Sequence, residues 1–143
     1  MDDIFSLTVS EEIEIAVRLV LAAAFGAAVG YERRSADKPA GLRTLSLVAV
    51  GSALFTIIST FGFENADQSR VAAQIVTGVG FLGAGTILRS GGSISGLTTA
   101  ATIWATAAIG MAVGSGLYIA AVAGTIIILI ILYVFSPVRD QER

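Results

Sequence analysis

The sequence predicts an all-α integral membrane bundle of about five transmembrane helices, entering from outside and ending inside. Three observations predict it. The chain is 55% hydrophobic and only 14% charged, with a mean hydropathy of +0.82, whereas a soluble domain is about a quarter charged. Five segments approach the roughly 20 apolar residues that span a bilayer, with about 17 as a lower limit. The basic residues collect in alternate loops.

The predicted spans are Ile13–Gly30, Leu42–Phe63, Val71–Leu88, Leu97–Val113 and Leu117–Phe135, in a single domain covering 1–143. The fifth is aliphatic all round, as a lipid-facing helix is, and it ends at Pro137. The third and fourth are short and rich in glycine or threonine, so one of them could be broken or re-entrant. Arg33, Arg34, Lys38, Arg43, Arg89, Arg139 and Arg143 all fall on one side if the N-terminus is outside. Only Arg70 joins the acidic residues Asp2, Asp3, Glu11, Glu12, Glu64 and Asp67 on the other. The positive-inside rule then gives an N-out, C-in, multi-pass topology. The acidic start, MDDIFSLTVSEEIE, has no basic region of the kind that opens a signal peptide.

An offset of 55 residues superimposes Gly30, Arg34, Ser35, Gly41, Leu42 and Thr44 on Gly85, Arg89, Ser90, Gly96, Leu97 and Thr99. This reads either as a parallel two-helix repeat followed by a fifth helix, or as chance similarity in a Gly/Ala/Leu background.

Within the first span, Ala22, Gly26 and Gly30 form a small-residue ridge suited to helix packing. Glu14 and Arg18, four apart, share a face; Arg18 either anchors the helix end or lines an outward cavity. In the loop Tyr31–Thr44, Glu32 and Arg33 stand where the helix leaves the membrane. Arg43 and Thr44 open the second span. A cation there opposes the helix macrodipole, so Arg43 calls for a partner: Glu32, Asp37, a lipid phosphate or a substrate anion.

The third span carries most of the unusual chemistry. Arg70 and Gln74 are four apart. Gln74, Gly78, Phe81 and Gly85 share a face, and Thr77, Gly80 and Gly83 add small or polar positions. Glycine at membrane depth lets a neighbouring backbone approach. Gln74 either locks packing or coordinates a polar ligand. In the fourth span Thr99, Thr102, Thr106 and Gly110 form a stripe, whose threonines either bond their own helix carbonyls or face a wet path. Trp104, away from the interfacial belts where Trp is usual, predicts a packed interior or a cavity wall. The Gln74–Gly85 face is expected to lie against Thr99–Thr106.

Several function classes drop out. A net charge of −2 leaves no nucleic-acid footprint. The absence of Cys and His removes thiolate chemistry and the commonest transition-metal ligand. No P-loop, G-x-S-x-G or H-E-x-x-H appears, so no enzyme activity and no cofactor are expected. The outer carboxylates give only a weak signal for a hard divalent cation, and the metal is unknown.

The runs Gly30–Arg34 (GYERR), Ala40–Thr44 (AGLRT), Arg70–Leu88 and Gly96–Trp104 (GLTTAATIW) resemble the MgtC/SapB family of bacterial inner-membrane proteins. The resemblance covers nearly the whole chain. It implies magnesium homeostasis, virulence association and regulation of membrane proteins such as P-type cation pumps or the ATP synthase. Many relatives carry a soluble C-terminal domain; the expectation here is the membrane core without it. The leading expectation is a non-enzymatic, homo-oligomeric membrane module that regulates ion homeostasis. The second is a small-solute or Mg²⁺ transporter lined by Gln74, Thr99, Thr102 and Trp104. The third is an anionic-lipid or phosphate binder using Arg33, Arg34, Arg43 and Arg89.

Overall fold

The computed structural model describes residues 7–63 and 67–135, the side chain of residue 68 excepted. Five helices run in the order α1 (Val9–Ser35), α2 (Leu42–Phe61), α3 (Gln68–Ala84), α4 (Leu97–Gly114) and α5 (Tyr118–Val134). Between α3 and α4 lies a two-stranded hairpin, β1 (Leu88–Ser90) and β2 (Ser93–Ser95). Helices α1, α2 and α4 are long and apolar enough to cross a membrane; α5 is apolar but has 17 residues.

Each helix starts and stops for a local reason. At α1 the Thr8 side chain accepts from the Glu11 amide while the Glu11 carboxylate accepts from the Thr8 amide, a capping box. At α3 the Asp67 carboxylate accepts from the Ser69 amide at 3.0 Å and the Ser69 hydroxyl at 2.6 Å. The Thr8 amide and then its hydroxyl hold the Glu11 carboxyl below its ordinary pKa. The Ser69 hydroxyl and then its amide do the same for Asp67. A depressed folded pKa stabilises the fold above the ordinary carboxylate value and loses that contribution as pH falls through the folded one. Acidification below about pH 4 is therefore expected to fray both first turns, measurable as faster exchange of the Glu11 and Ser69 amides.

The first helix outlasts its predicted span by one further turn at each end. It stops where Asp37 takes a left-handed φ of 56° and where Lys38 donates its amide back to the Arg33 carbonyl at 2.9 Å.

The predicted third span is corrected at its end. The helix stops at Ala84 rather than Leu88, and Leu88 belongs to β1. Leu88 pairs with Ser95, Arg89 with Ile94 and Ser90 with Ser93. Gly91 and Gly92 supply the two positive φ values, 55° and 86°, that a tight two-residue hairpin turn requires.

The core lies between α1, α2 and α4. Ala22, Val29, Leu45, Ala49, Ala53 and Val113 are fully buried. Glycine brings the backbones together. A Cβ on Gly26 would stand 2.6 Å from the Leu45 carbonyl oxygen, and one on Gly30 the same distance from the Leu42 Cα. On α4, a Cβ at Gly110 would meet the Ala49 oxygen at 2.2 Å, and at Gly114 the Ala53 oxygen at 2.7 Å. So α2 is held between α1 and α4 at near backbone contact. By contrast α3 packs more lightly, against α4 and α2.

Candidate functional site

The threonine stripe of α4 points into the core, with Thr99, Thr102 and Thr106 all buried. The Thr102 hydroxyl donates to the Thr98 carbonyl at 2.7 Å and that of Thr106 to the Thr102 carbonyl at 2.8 Å. These hydroxyls are spent on their own helix. Gly110 and Gly114 close the α2 contact one and two turns further along.

Gln74 is not against this stripe. It is exposed, as are Thr77, Gly78, Gly80 and Phe81, which is 80% exposed. The expected burial of the Gln74–Gly85 face against Thr99–Thr106 is thus overturned. Instead α3 buries Ile75 and Val79 and turns Gly83 to Ala100, which a Cβ on Gly83 would meet at 3.4–3.6 Å. The glycines expected to pack there do not: a Cβ on Gly78 or Gly80 would meet no described atom within 4 Å, and one on Gly85 would meet carbonyls of its own helix. Thr77 bonds the Ala73 carbonyl at 3.0 Å.

Gln74 and Gly78 instead line an open groove of about 440 Å³ between α2 and α3. Its walls are apolar: Leu47, Val48, Phe55, Val71, Ile75, Val79 and Leu82. Gly51 and Ser52 form part of the α2 side. Gly51 and Gly78 leave room for another helix or an acyl chain to come close, and Gln74 offers one amide. Trp104 is 52% exposed on the outer surface of α4, so the expectation of an interior or cavity-wall Trp is also overturned.

At one end of the bundle Arg18 joins three elements. Its Nη1 donates to the Gly114 carbonyl at 2.7 Å, its Nε to the Tyr118 hydroxyl at 3.2 Å and its Nη2 to Glu14 at 2.5 Å. A cation on the last carbonyls of α4 complements the helix dipole. Arg18 therefore acts as a helix-end clamp. Arg70 is exposed and lies 3.8 Å from Asp67.

At the opposite end Arg33 is only 4% exposed. Its Nε lies 3.4 Å from Glu32 Oε2, and neither atom has a hydrogen-bond partner among the described residues. Arg43 and Thr44 are exposed on the first turn of α2, and Arg89 is exposed on β1. The structure brings Glu32 and Arg33 together, and among the described residues it gives Arg43 no ion pair to Glu32 or Asp37.

Residues 19–141 match the MgtC family. The chain belongs to that family. It is 52% identical over 130 residues to the Escherichia coli K12 protein named "Putative magnesium transporter YhiD", covering 85% of this chain and 60% of that protein. It is 49% identical over 113 residues to Protein MgtC of Salmonella typhimurium, covering 79% and 48%. To Protein MgtC of Brucella abortus strain 2308 it is 45% identical over 119 residues, covering 82% and 50%. The chain thus spans about half to three fifths of the length of these relatives. No solved structure matches it.

Within this MgtC-family chain, sequence reading missed Gly114, and it named Gly96 without its left-handed backbone. Gly110-x-x-x-Gly114 has the small-xxx-small spacing that betrays a close crossing. Gly96 precedes α4 with a φ of 87° and would set a Cβ only 1.9 Å from the Thr86 carbonyl oxygen. The proposed repeat is half visible. Gly41 and Gly96 both stand at the N-cap of the helix that follows. Gly30 meets the neighbouring backbone and Gly85 does not.

Proposed function

We propose that this chain is the membrane core of a magnesium-linked homeostasis protein that acts on other membrane proteins by helix contact rather than by catalysis. Five spans in a bacterial inner membrane, N-out and C-in, place the Arg33 end at the cytoplasm. The carrying observation is the orientation of Gln74: the interior between α1, α2 and α4 is closed by glycine contacts and self-bonded threonines, while the membrane-depth amide opens onto an outward groove. An amide facing lipid gains by meeting a polar group on another helix. That other helix belongs to a partner protein, of the P-type pump or ATP synthase kind the resemblance implies, or to another copy of the chain. Gln74→Leu is expected to weaken such association about 3- to 30-fold, from the ~0.6–2 kcal/mol of an intramembrane hydrogen bond, measured by energy transfer between labelled proteins in liposomes.

The second reading, a Mg²⁺ transporter, draws on the name of the YhiD relative. Liposomes holding only this protein decide between the two. The contact reading expects no Mg²⁺ uptake. Uptake abolished by Gln74→Ala in a folded protein would overturn it.

A further inference from the structure

We infer that the Arg33 end of the bundle holds a binding site for a phosphate-type oxyanion, built by the buried Arg33 guanidinium and the N-terminus of α2. Arg33 continues the buried stripe Ala22, Gly26, Val29, Gly30 of α1. Gly30 sits directly on the start of α2, where its Cβ would stand 2.6 Å from the Leu42 Cα and 3.0 Å from the Leu42 nitrogen. Arg33 lies three residues further on, about 4.5 Å along the axis, just past that start. Side chains on a helix lean back toward its N-terminus, which turns Arg33 toward the first amides of α2. Those amides have no side-chain cap, because the N-cap is Gly41, and no acidic residue lies in the first turn.

The neighbouring α4 repeats the pattern. It runs parallel to α2, with Gly110 on Ala49 and Gly114 on Ala53. Its N-cap, Gly96, likewise gives no side-chain cap, and its first turn has no acid. That register sets the start of α4 about six residues, roughly 9 Å, beyond the start of α2, so the donors of this site are the positive end of α2 and the buried Arg33. The acid paired with Arg33 is Glu32, whose oxygen stands 3.4 Å from Arg33 Nε without a hydrogen bond, and Asp37 stands exposed in the loop that follows. Arg34, whose Cβ lies 3.7 Å from where one on Gly41 would be, borders the same spot. A tetrahedral oxyanion matches this donor set: planar guanidinium N–H groups on one side and helix amides on the other. Free phosphate and the phosphodiester of an anionic lipid share that chemistry.

The test uses the purified chain in phosphatidylcholine nanodiscs, with thermal unfolding read against added inorganic phosphate and, separately, against phosphatidylglycerol in the disc. A rise in melting temperature with phosphate identifies a free anion; a rise with phosphatidylglycerol alone identifies a lipid headgroup; either supports the site. Arg33→Gln is expected to raise the half-saturating concentration about tenfold or more, as loss of a charge-assisted hydrogen bond does. Should that variant fail to fold, Gly41→Asp keeps the question open. Gly41 has an ordinary φ of −96° and room for a Cβ, so a carboxylate there caps α2, occupies the site and abolishes the response in a folded protein. No response in the wild type, or an equal response in the wild type and Gly41→Asp, would overturn the assignment.

Discussion

Gly110→Leu is expected to prevent assembly of the bundle. The substituted Cβ alone would lie 2.2 Å from the Ala49 carbonyl oxygen, with the Ala49 Cα at 2.9 Å. Both are backbone atoms of a helix that α1 clamps from its other side through Gly26. Nothing flexible is available to move, so α4 must back away from α2. That exposes the space around Ile103, Thr106 and Ala107, which are buried now. Overpacking of a tight core costs about 1–3 kcal/mol for modest additions, and a leucine far exceeds a modest addition. The Gly110→Ala variant is expected to unfold about 1–3 kcal/mol more easily, and Gly110→Leu to leave no folded protein after detergent extraction. Gly78→Ala is the control. No described atom lies within 4 Å of its Cβ, and exchanging glycine for alanine in a helix gains up to ~1 kcal/mol. Size-exclusion profiles and melting curves of the three variants test the contrast.

Gly96→Ala is expected to be nearly as damaging, for a different reason. Gly96 ends the hairpin and begins α4 in the left-handed region, at φ 87°. A side chain there is strained by about 1–3 kcal/mol in itself. It also collides with the Thr86 carbonyl at 1.9 Å. The variant therefore forces apart the two ends of the 87–95 segment. A protease readout suits it, because Arg89 is exposed on β1. Trypsin is expected to cut after Arg89 several times faster in Gly96→Ala than in the parent. Equal rates would show that the hairpin is not held by this contact.

The starts of α2 and α4 were legible because Gly41-Leu42 and Gly96-Leu97 mark the change from polar loop to apolar run. The end of α3 was not. Ile87 and Leu88 are apolar, and apolar residues near a glycine-rich helix read as its continuation. The Gly91–Gly92 pair, a hairpin signal, was the evidence against that reading. The orientation of Gln74 was also illegible, and for a deeper reason. Periodicity shows which residues share a face, but in a membrane both lipid and protein interior are apolar. Hydropathy therefore does not say which way a face turns. The glycines do, since only some of them meet a neighbouring backbone. Gly26, Gly30, Gly110 and Gly114 lie at contacts, whereas Gly78 and Gly80 lie open. The same ambiguity hid Trp104, whose mid-helix position suggested an interior although it stands on the outside of α4. Arg33 was singled out by its charge beside the helix exit, but its burial was not legible, because a charged residue at a helix exit reads as solvated.

In the proposed function the α1–α2–α4 interior is dry packing and partners are met on the outward α2–α3 groove. The chain has no native cysteine, so single cysteines report water access directly. Thr102→Cys, Thr106→Cys and an exposed reference, Arg43→Cys, placed separately in proteoliposomes, are treated with a small water-soluble thiol reagent. Labelling at position 43 with none at 102 or 106 is the predicted result. Labelling at 102 or 106 at a rate comparable to position 43, slowed by added Mg²⁺, would reveal a water-filled path through the protomer and contradict the account.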